Sequence, residues 1–238
     1  MSLRDKLTIP IAAAIVPIMW LVGVCIWCPP VYGWWTAAII AGAVVALPFS
    51  SLMHELGHMI FGAICKIKAV PKFKLFGSSS CKIIPKTDKN LRKRLIVTTI
   101  GGPVINLLFF IGSIIAICFS IEYSVLLPAS WYLLIINLVP TEYPSGKTDA
   151  LVLSELISND NTAKVMLAVL TVQAQVLKGK PIAEVDEQLL FGVPQIIESE
   201  ESFIALTELR YEYFKAKGET DKAEQYKARF EKLKKEYM

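Results

Sequence analysis

No lysine or arginine occurs between Lys6 and Lys66, or between Arg94 and Lys147. Apolar tracts of that length need either a very large core or a lipid surrounding, and a chain of 238 residues does not supply such a core. A helix rises about 1.5 Å per residue, so about 20 apolar residues cross the hydrocarbon layer. Four spans fit, over residues 7–27, 34–65, 94–120 and 124–140. The first is longer than the core of a secretory signal and lacks an A-x-A-like cleavage site, so it is read as retained. The second, 32 residues long, would measure about 48 Å if straight. Pro48 is expected to kink or break it, leaving Pro48 to Cys65 as a helix of its own.

All 25 basic residues fall on one side of this arrangement. Arg4 and Lys6 precede the first span, ten lie from Lys66 to Arg94, and thirteen follow residue 146. The opposite loops, Cys28–Gly33 and Ser120–Ser124, contain none. The positive-inside rule then puts both termini in the cytoplasm of a multi-pass cell-membrane protein. Trp27, Tyr32, Trp34 and Trp35 form an aromatic belt at the outer interface.

The net charge of +4 is too mild to point to nucleic acid, and it averages two unlike parts. Residues 1–140 carry 12 basic and 4 acidic side chains, a net +8. Residues 141–238 carry 13 and 17, a net −4. The expected architecture is an all-α polytopic membrane protein with about four transmembrane helices. Residues 1–155 form its membrane-embedded core and residues 156–238 a cytoplasmic helical tail.

Two further segments have local signals. In the basic loop, Pro71–Phe76 and Cys81–Ile84 flank Gly77–Ser80 and read as a β-hairpin, or as a solvated loop attracted to anionic lipid. In the tail, Phe203, Leu206, Leu209 and Tyr213 share one helical face, and Gly218 ends that run. Thr220 is expected to cap a second helix with Ala223, Tyr226, Phe230 and Leu233 on its apolar face. Together with a helix–Gly–helix unit around Gly179, this reads as a tetratricopeptide-like hairpin region or a plain helical hairpin. Either can bind a protein partner. Cys25-Ile26-Trp27-Cys28, in its apolar setting, reads as packing rather than redox chemistry.

The chemistry lies in the second span, in His54-Glu55-Leu56-Gly57-His58. Residues i and i+4 share a helix face, so both imidazoles can reach one metal ion. Glu55 projects beside that face, where it can take a proton from water and pass it to a leaving amine. Zinc suits such a site, accepting imidazole and carboxylate while keeping one position for water. Two histidines placed at random in this chain sit four apart about 0.8% of the time, and glutamate follows the first in about 6% of those cases. A chance motif is therefore improbable, and ionisable groups in a membrane helix mark function by default.

The chain has only two histidines, so the third protein ligand is Asp, Glu or Cys. After Asn137 and Pro140, a segment containing Pro144 and Gly146 reads as a compact turn. That turn can return Asp149 to the cytoplasmic end of the spans, with Thr148 capping a helix over Asp149–Ile157. Asp149 also reads as a helix-start carboxylate favoured by the dipole. Glu142 is the alternative ligand, whereas Glu122 lies at the outer face.

Together these residues resemble the site-2 protease family, zinc metalloproteases that cut within the membrane. The family pattern has HExxH on one membrane helix and a later Asn-Pro-type segment ending in Asp-Gly. His54, Glu55 and His58 match in full. Asn137, Pro140 and Asp149 match more loosely: Pro140 is three residues after Asn137, and Ala150 stands where the family has glycine. Gly101-Gly102-Pro103-Val104-Ile105-Asn106 is similar to the family's Gly-Pro-x-x-Asn stretch, which on its own reads as helix packing. The resemblance covers residues 34–155.

It implies that His54, His58 and Asp149 bind Zn2+, that Glu55 is the general base and acid, and that Asn137 contacts substrate. The substrate would be a membrane-spanning or membrane-associated peptide cut near the cytoplasmic face, in regulated intramembrane proteolysis or in signal-peptide or pheromone processing. The basic hairpin would lend a strand edge to it. Two other readings stay open. One is a membrane metalloprotease of another class with a glutamate as third ligand. The other is a non-proteolytic zinc-binding membrane scaffold.

Overall fold

The apolar tracts fold as helices, the form that satisfies every backbone N–H and C=O within one segment. The computed structural model describes residues 3–73, 80–143 and 146–237, with side chains from Thr8 onward. It is mostly helical, with two small two-stranded sheets. Four helical segments are long and apolar enough to cross a membrane: Thr8–Trp27, Trp35–Ile64, Leu91–Ile117 and Ile121–Leu138.

By contact density the chain divides into two units. The first comprises Met1–Ile64, Ala69–Lys82 and Val97–Ser154, and the second Cys65–Lys68, Ile83–Ile96 and Glu155–Met238.

The first unit begins with α1 (Leu3–Trp27), the one-turn α2 (Pro29–Tyr32) and α3 (Trp35–Ile64). Helix α3 runs unbroken through Pro48, against the expectation of a separate second half. A proline removes one N–H, and thirteen residues precede Pro48 within α3 while sixteen follow, each stretch with a ladder of its own. Strands β1 (Ile67–Lys72) and β2 (Ser80–Pro85) pair as a two-stranded sheet. The first strand starts four residues before the expected Pro71–Phe76, as burial of Ile67 and Ala69 on one face of the strand requires. The expected turn at Gly77–Ser79 and residues 74–76 lie outside the described residues.

Helix α4 (Leu91–Ile117) follows, then a 3-10 turn at Ile121–Ser124 and α5 (Leu127–Leu138). Helix α5 packs against α1 and α3. Near the ends of these helices Trp20, Val24, Cys28, Ile39 and Leu127 form a core, and Trp20 Nε1 donates to Ser124 Oγ at 2.7 Å. Cys28 is buried there as a packing residue, while Cys25 is exposed, and both are free thiols. After α5, strands β3 (Glu142–Tyr143) and β4 (Gly146–Lys147) pair antiparallel, with Glu142 opposite Lys147, and α6 (Asp149–Ser158) begins.

The second unit takes in the C-terminal part of α6 and the tail helices α7 (Asn161–Leu177), α8 (Glu187–Phe191), α9 (Glu201–Lys217) and α10 (Thr220–Tyr237). Three of the loop's charges serve structure here. Arg92 donates to the carbonyls of Leu156 and Ile157, both at 2.6 Å, and so closes the end of α6. Arg94 donates to Cys65 O at 2.7 Å. Lys178 pairs with Asp88 at 2.6 Å.

Gly218 takes φ of +75°, the left-handed conformation that turns α9 into α10. Helix α10 contains Thr220 as its first residue rather than beginning after it. Leu206, Tyr213, Ala223 and Leu233 are buried, in agreement with the two apolar faces. The unit around Gly179 differs from a second hairpin. Gly179 is followed by a 3-10 turn and the five-residue α8, because Pro181 and Asp186 punctuate the chain there.

Candidate metal centre

The i, i+4 spacing on α3 sets His54 and His58 on one face with their rings nearly perpendicular, centroids 4.8 Å apart and Nε2 atoms 3.2 Å apart. Both imidazoles are buried. Helix α4 makes this burial geometrically feasible. A Cβ on Gly57 would strike the carbonyl of Gly101, and one on Gly101 would lie 2.5 Å from Gly57 O. The two backbones therefore meet where only glycine fits. Gly102, one residue on, faces the imidazoles directly: a Cβ there would lie 2.5 Å from His58 Nε2 and 2.7 Å from His54 Nε2.

Each ring is oriented through its second nitrogen. His58 Nδ1 lies 3.0 Å from Thr98 O, which fixes the proton on Nδ1 and leaves Nε2 as the lone-pair donor. His54 Nδ1 lies 2.9 Å from the Asn106 amide. Asn106 is fully buried, and its Oδ1 has no hydrogen-bond partner. Turning the amide by 180° places that oxygen on His54 Nδ1–H and frees His54 Nε2 in the same way.

The turn after α5 delivers the third group. Thr148 Oγ1 donates to Val139 O at 2.8 Å, Thr148 N donates to Thr141 O at 3.0 Å, and Thr141 N donates to Thr148 Oγ1 at 3.1 Å. Thr148 Oγ1 also accepts from Leu151 N at 3.4 Å, at the start of α6. These bonds close the chain between Thr141 and Thr148 and set Asp149 against both imidazoles, while Pro144 and Ser145 of the expected turn lie outside the described residues. Asp149 Oδ2 is 3.1 Å from His54 Nε2, and Oδ1 is 3.4 Å from His58 Nε2. Burial would push the Asp149 carboxyl up, but the two imidazoles outweigh it and hold it down at about 2.

His54, His58 and Asp149 thus offer three ligand atoms within 4.8 Å of one another, and the group can hold a metal ion. Glu55 Oε2 is buried without a hydrogen-bond partner, a costly state that a nearby cation would relieve. Glu55 is only 4% exposed.

The other sequence candidates lie apart from this group. Glu142 is exposed and paired with Lys147 in the β3–β4 hairpin. Glu122 accepts from Tyr32 Oη at 2.6 Å. The Asn137 side chain, expected to meet substrate, donates to Leu133 O at 3.0 Å within α5. Two residues acquire a role beyond their sequence reading. Asn106 and Gly102 read there as helix packing, although an amide in an apolar helix is itself a signal. Cys81, on β2, belongs to no sequence pattern, and its Sγ lies 3.9 Å from Glu55 O. Burial, then Glu55, push this thiol up. No family profile, curated protein or solved structure matches the chain, so the reading of this centre rests on its own geometry.

Proposed function

We propose that the chain is a multi-pass membrane zinc endopeptidase of the site-2 type, with both termini in the cytoplasm. Its substrate is a membrane-spanning or membrane-associated peptide cut near the cytoplasmic face. The observation that carries this reading is the convergence of His54, His58 and Asp149 beside the buried Glu55.

The ligand spacing supports zinc. Two ligands each about 2.0–2.1 Å from a tetrahedral ion lie about 3.3 Å apart. The contacts here are 3.2, 3.1 and 3.4 Å. Three protein ligands leave the fourth position for water or substrate, as in catalytic rather than structural sites. When bound, zinc supplies a Lewis acid that polarises a carbonyl and acidifies water.

The chain's own residues do the rest. Glu55 takes the proton of the attacking water and returns it to the leaving amine. Thr98 and Asn106 hold the imidazoles in the ligating tautomer. Gly102 keeps the space in front of them open. Asn137 enters this reading through the resemblance alone, since its amide bonds to Leu133.

Membrane placement rests on the four apolar segments and the one-sided distribution of basic residues. Between 17 and 28% of each segment is buried, so most of its apolar surface faces outward, where lipid covers it. His58 stands six residues before the end of α3, about 9 Å along the axis, which supports cleavage near that face. A non-proteolytic scaffold would have no use for Glu55, whose buried unpartnered oxygen is a cost without a return.

The test is the purified full chain in lipid, assayed for bound zinc and for cleavage of membrane-spanning peptides. One zinc per chain with cleavage supports the proposal. Bound zinc without cleavage across a broad peptide library supports the scaffold.

A further inference from the structure

We propose that Glu122, Tyr32 and Ser120 form a binding site for an outer-leaflet lipid whose headgroup ends in a primary ammonium. The inference rests on the membrane placement above and not on proteolysis. Glu122 lies in the 3-10 turn before α5, and Tyr32 ends α2. Tyr32 Oη donates to Glu122 Oε2 at 2.6 Å, and Ser120 Oγ donates to the same oxygen. Tyr32 Oη and Ser120 Oγ themselves lie 2.9 Å apart. Each hydroxyl has one hydrogen. With both hydrogens directed at the ionised carboxylate, this third pair meets lone pair to lone pair, and a donor from outside the cluster completes it.

That donor is a cation by charge. The segments that build the site, residues 7–65 and 95–146, contain no lysine or arginine, and both histidines stand at the metal centre. These segments therefore give Glu122 no counter-charge. A groove of about 370 Å3 beside it is lined by Tyr32, Trp35, Ala38, Ile39, Glu122 and Val125. Aromatic faces attract an ammonium through the ring quadrupole, and the carboxylate adds a charge-assisted hydrogen bond. A primary ammonium has three N–H donors, for Glu122 and for the lone pairs of Tyr32 Oη and Ser120 Oγ. A quaternary ammonium has no N–H to give, and an anionic headgroup is repelled by the carboxylate. The surroundings favour a lipid over a soluble amine. Trp34 and Trp35 stack with centroids 4.0 Å apart and are 72% and 57% exposed, and such rings settle at the headgroup level. Ala38, Ile39 and Val125 offer an apolar wall to the rest of the same molecule.

The experiment examines the full chain in detergent by native mass spectrometry, as wild type, Glu122→Gln, Tyr32→Phe and Glu208→Gln, the last an exposed carboxyl of α9. Phosphatidylethanolamine, phosphatidylcholine and phosphatidylglycerol with identical acyl chains are added in equal amounts. Wild type and Glu208→Gln are expected to retain phosphatidylethanolamine several-fold over the other two, and Glu122→Gln and Tyr32→Phe to lose that preference. In vesicles of phosphatidylethanolamine and phosphatidylglycerol, a carbodiimide should couple the lipid amine to Glu122 of the wild type, seen as a mass addition on its peptide. This arm decides even where a variant does not fold, and no lipid on Glu122 overturns the proposal. Equal retention of all three lipids by wild type, or an unchanged preference in Glu122→Gln, overturns the site and leaves the membrane placement standing. Equal retention of phosphatidylethanolamine and phosphatidylcholine overturns the primary-ammonium assignment. Coupling of Glu122 to a lysine of an added membrane-spanning peptide in preference to lipid overturns the lipid as occupant.

Discussion

The amide of Asn106 stands 2.9 Å from His54 Nδ1 and has no exposure to solvent. A side chain in this position does not touch the metal, yet it decides which imidazole nitrogen carries the proton. Partners of this kind typically change metal affinity 10–100-fold. Asn106→Ala should therefore weaken zinc binding by about 10–100-fold, measured by competition with a chromophoric chelator. Asn106→Asp, which keeps an acceptor, should lose less. Equal affinity in wild type and Asn106→Ala would show that the amide plays no part in orienting the ring.

Gly102 supplies a second prediction, because the space in front of the imidazoles exists only without a side chain. In Gly102→Ala the new methyl would sit 2.5 Å from His58 Nε2, so the variant should bind far less zinc. Gly112, on the same helix, has nothing within 4 Å of the place a Cβ would take, and it is the control. Gly112→Ala should bind zinc like the wild type and unfold at the same or a slightly higher temperature. Full zinc occupancy in Gly102→Ala would contradict the geometry described.

Asp149 and Glu142 separate the two protease readings. Glu142 is exposed in the β3–β4 hairpin, while Asp149 lies against both histidines. Metal analysis should find zinc lost from Asp149→Ala and retained in Glu142→Ala. The reverse pattern would assign the third ligand to the glutamate.

Much of this arrangement was legible in the sequence. The cation-free tracts gave the four helical segments long and apolar enough to cross a membrane, because charge in lipid is costly wherever it occurs. The i, i+4 histidines gave a shared face, because helical geometry is local. Asp149 could be proposed because Pro140, Pro144 and Gly146 are turn signals in the sequence. What stayed hidden depends on contacts between distant segments. Asn106 and His54 are 52 residues apart, and Cys81 and Glu55 are 26 apart. No periodicity reports such pairs. Pro48 misled for the opposite reason: its local rule is sound, but the long helix around it absorbs one missing hydrogen bond.

Glu187 gives the tail an expected acid sensitivity of its own. Lys217 Nζ donates to Glu187 Oε1 at 2.8 Å and Tyr213 Oη donates to the same oxygen, and these bonds hold the Glu187 carboxyl below the usual range. A carboxyl lowered in the folded state contributes stability that is complete above its unfolded value and is lost as pH falls through its folded value. Protection factors across α9, corrected for the intrinsic pH dependence of amide exchange, should fall on acidification more steeply in wild type than in Glu187→Gln. Parallel profiles would remove Glu187 from the acid response.

The central claim is that Glu55 moves the protons of peptide hydrolysis at a centre built by His54, His58 and Asp149. The most direct measurement compares Glu55→Gln with wild type for bound zinc and for cleavage of membrane peptides in the same preparation. The account predicts equal zinc and loss of cleavage by at least about 100-fold, the scale of a lost general acid–base. Cleavage retained at the wild-type rate in Glu55→Gln would contradict it.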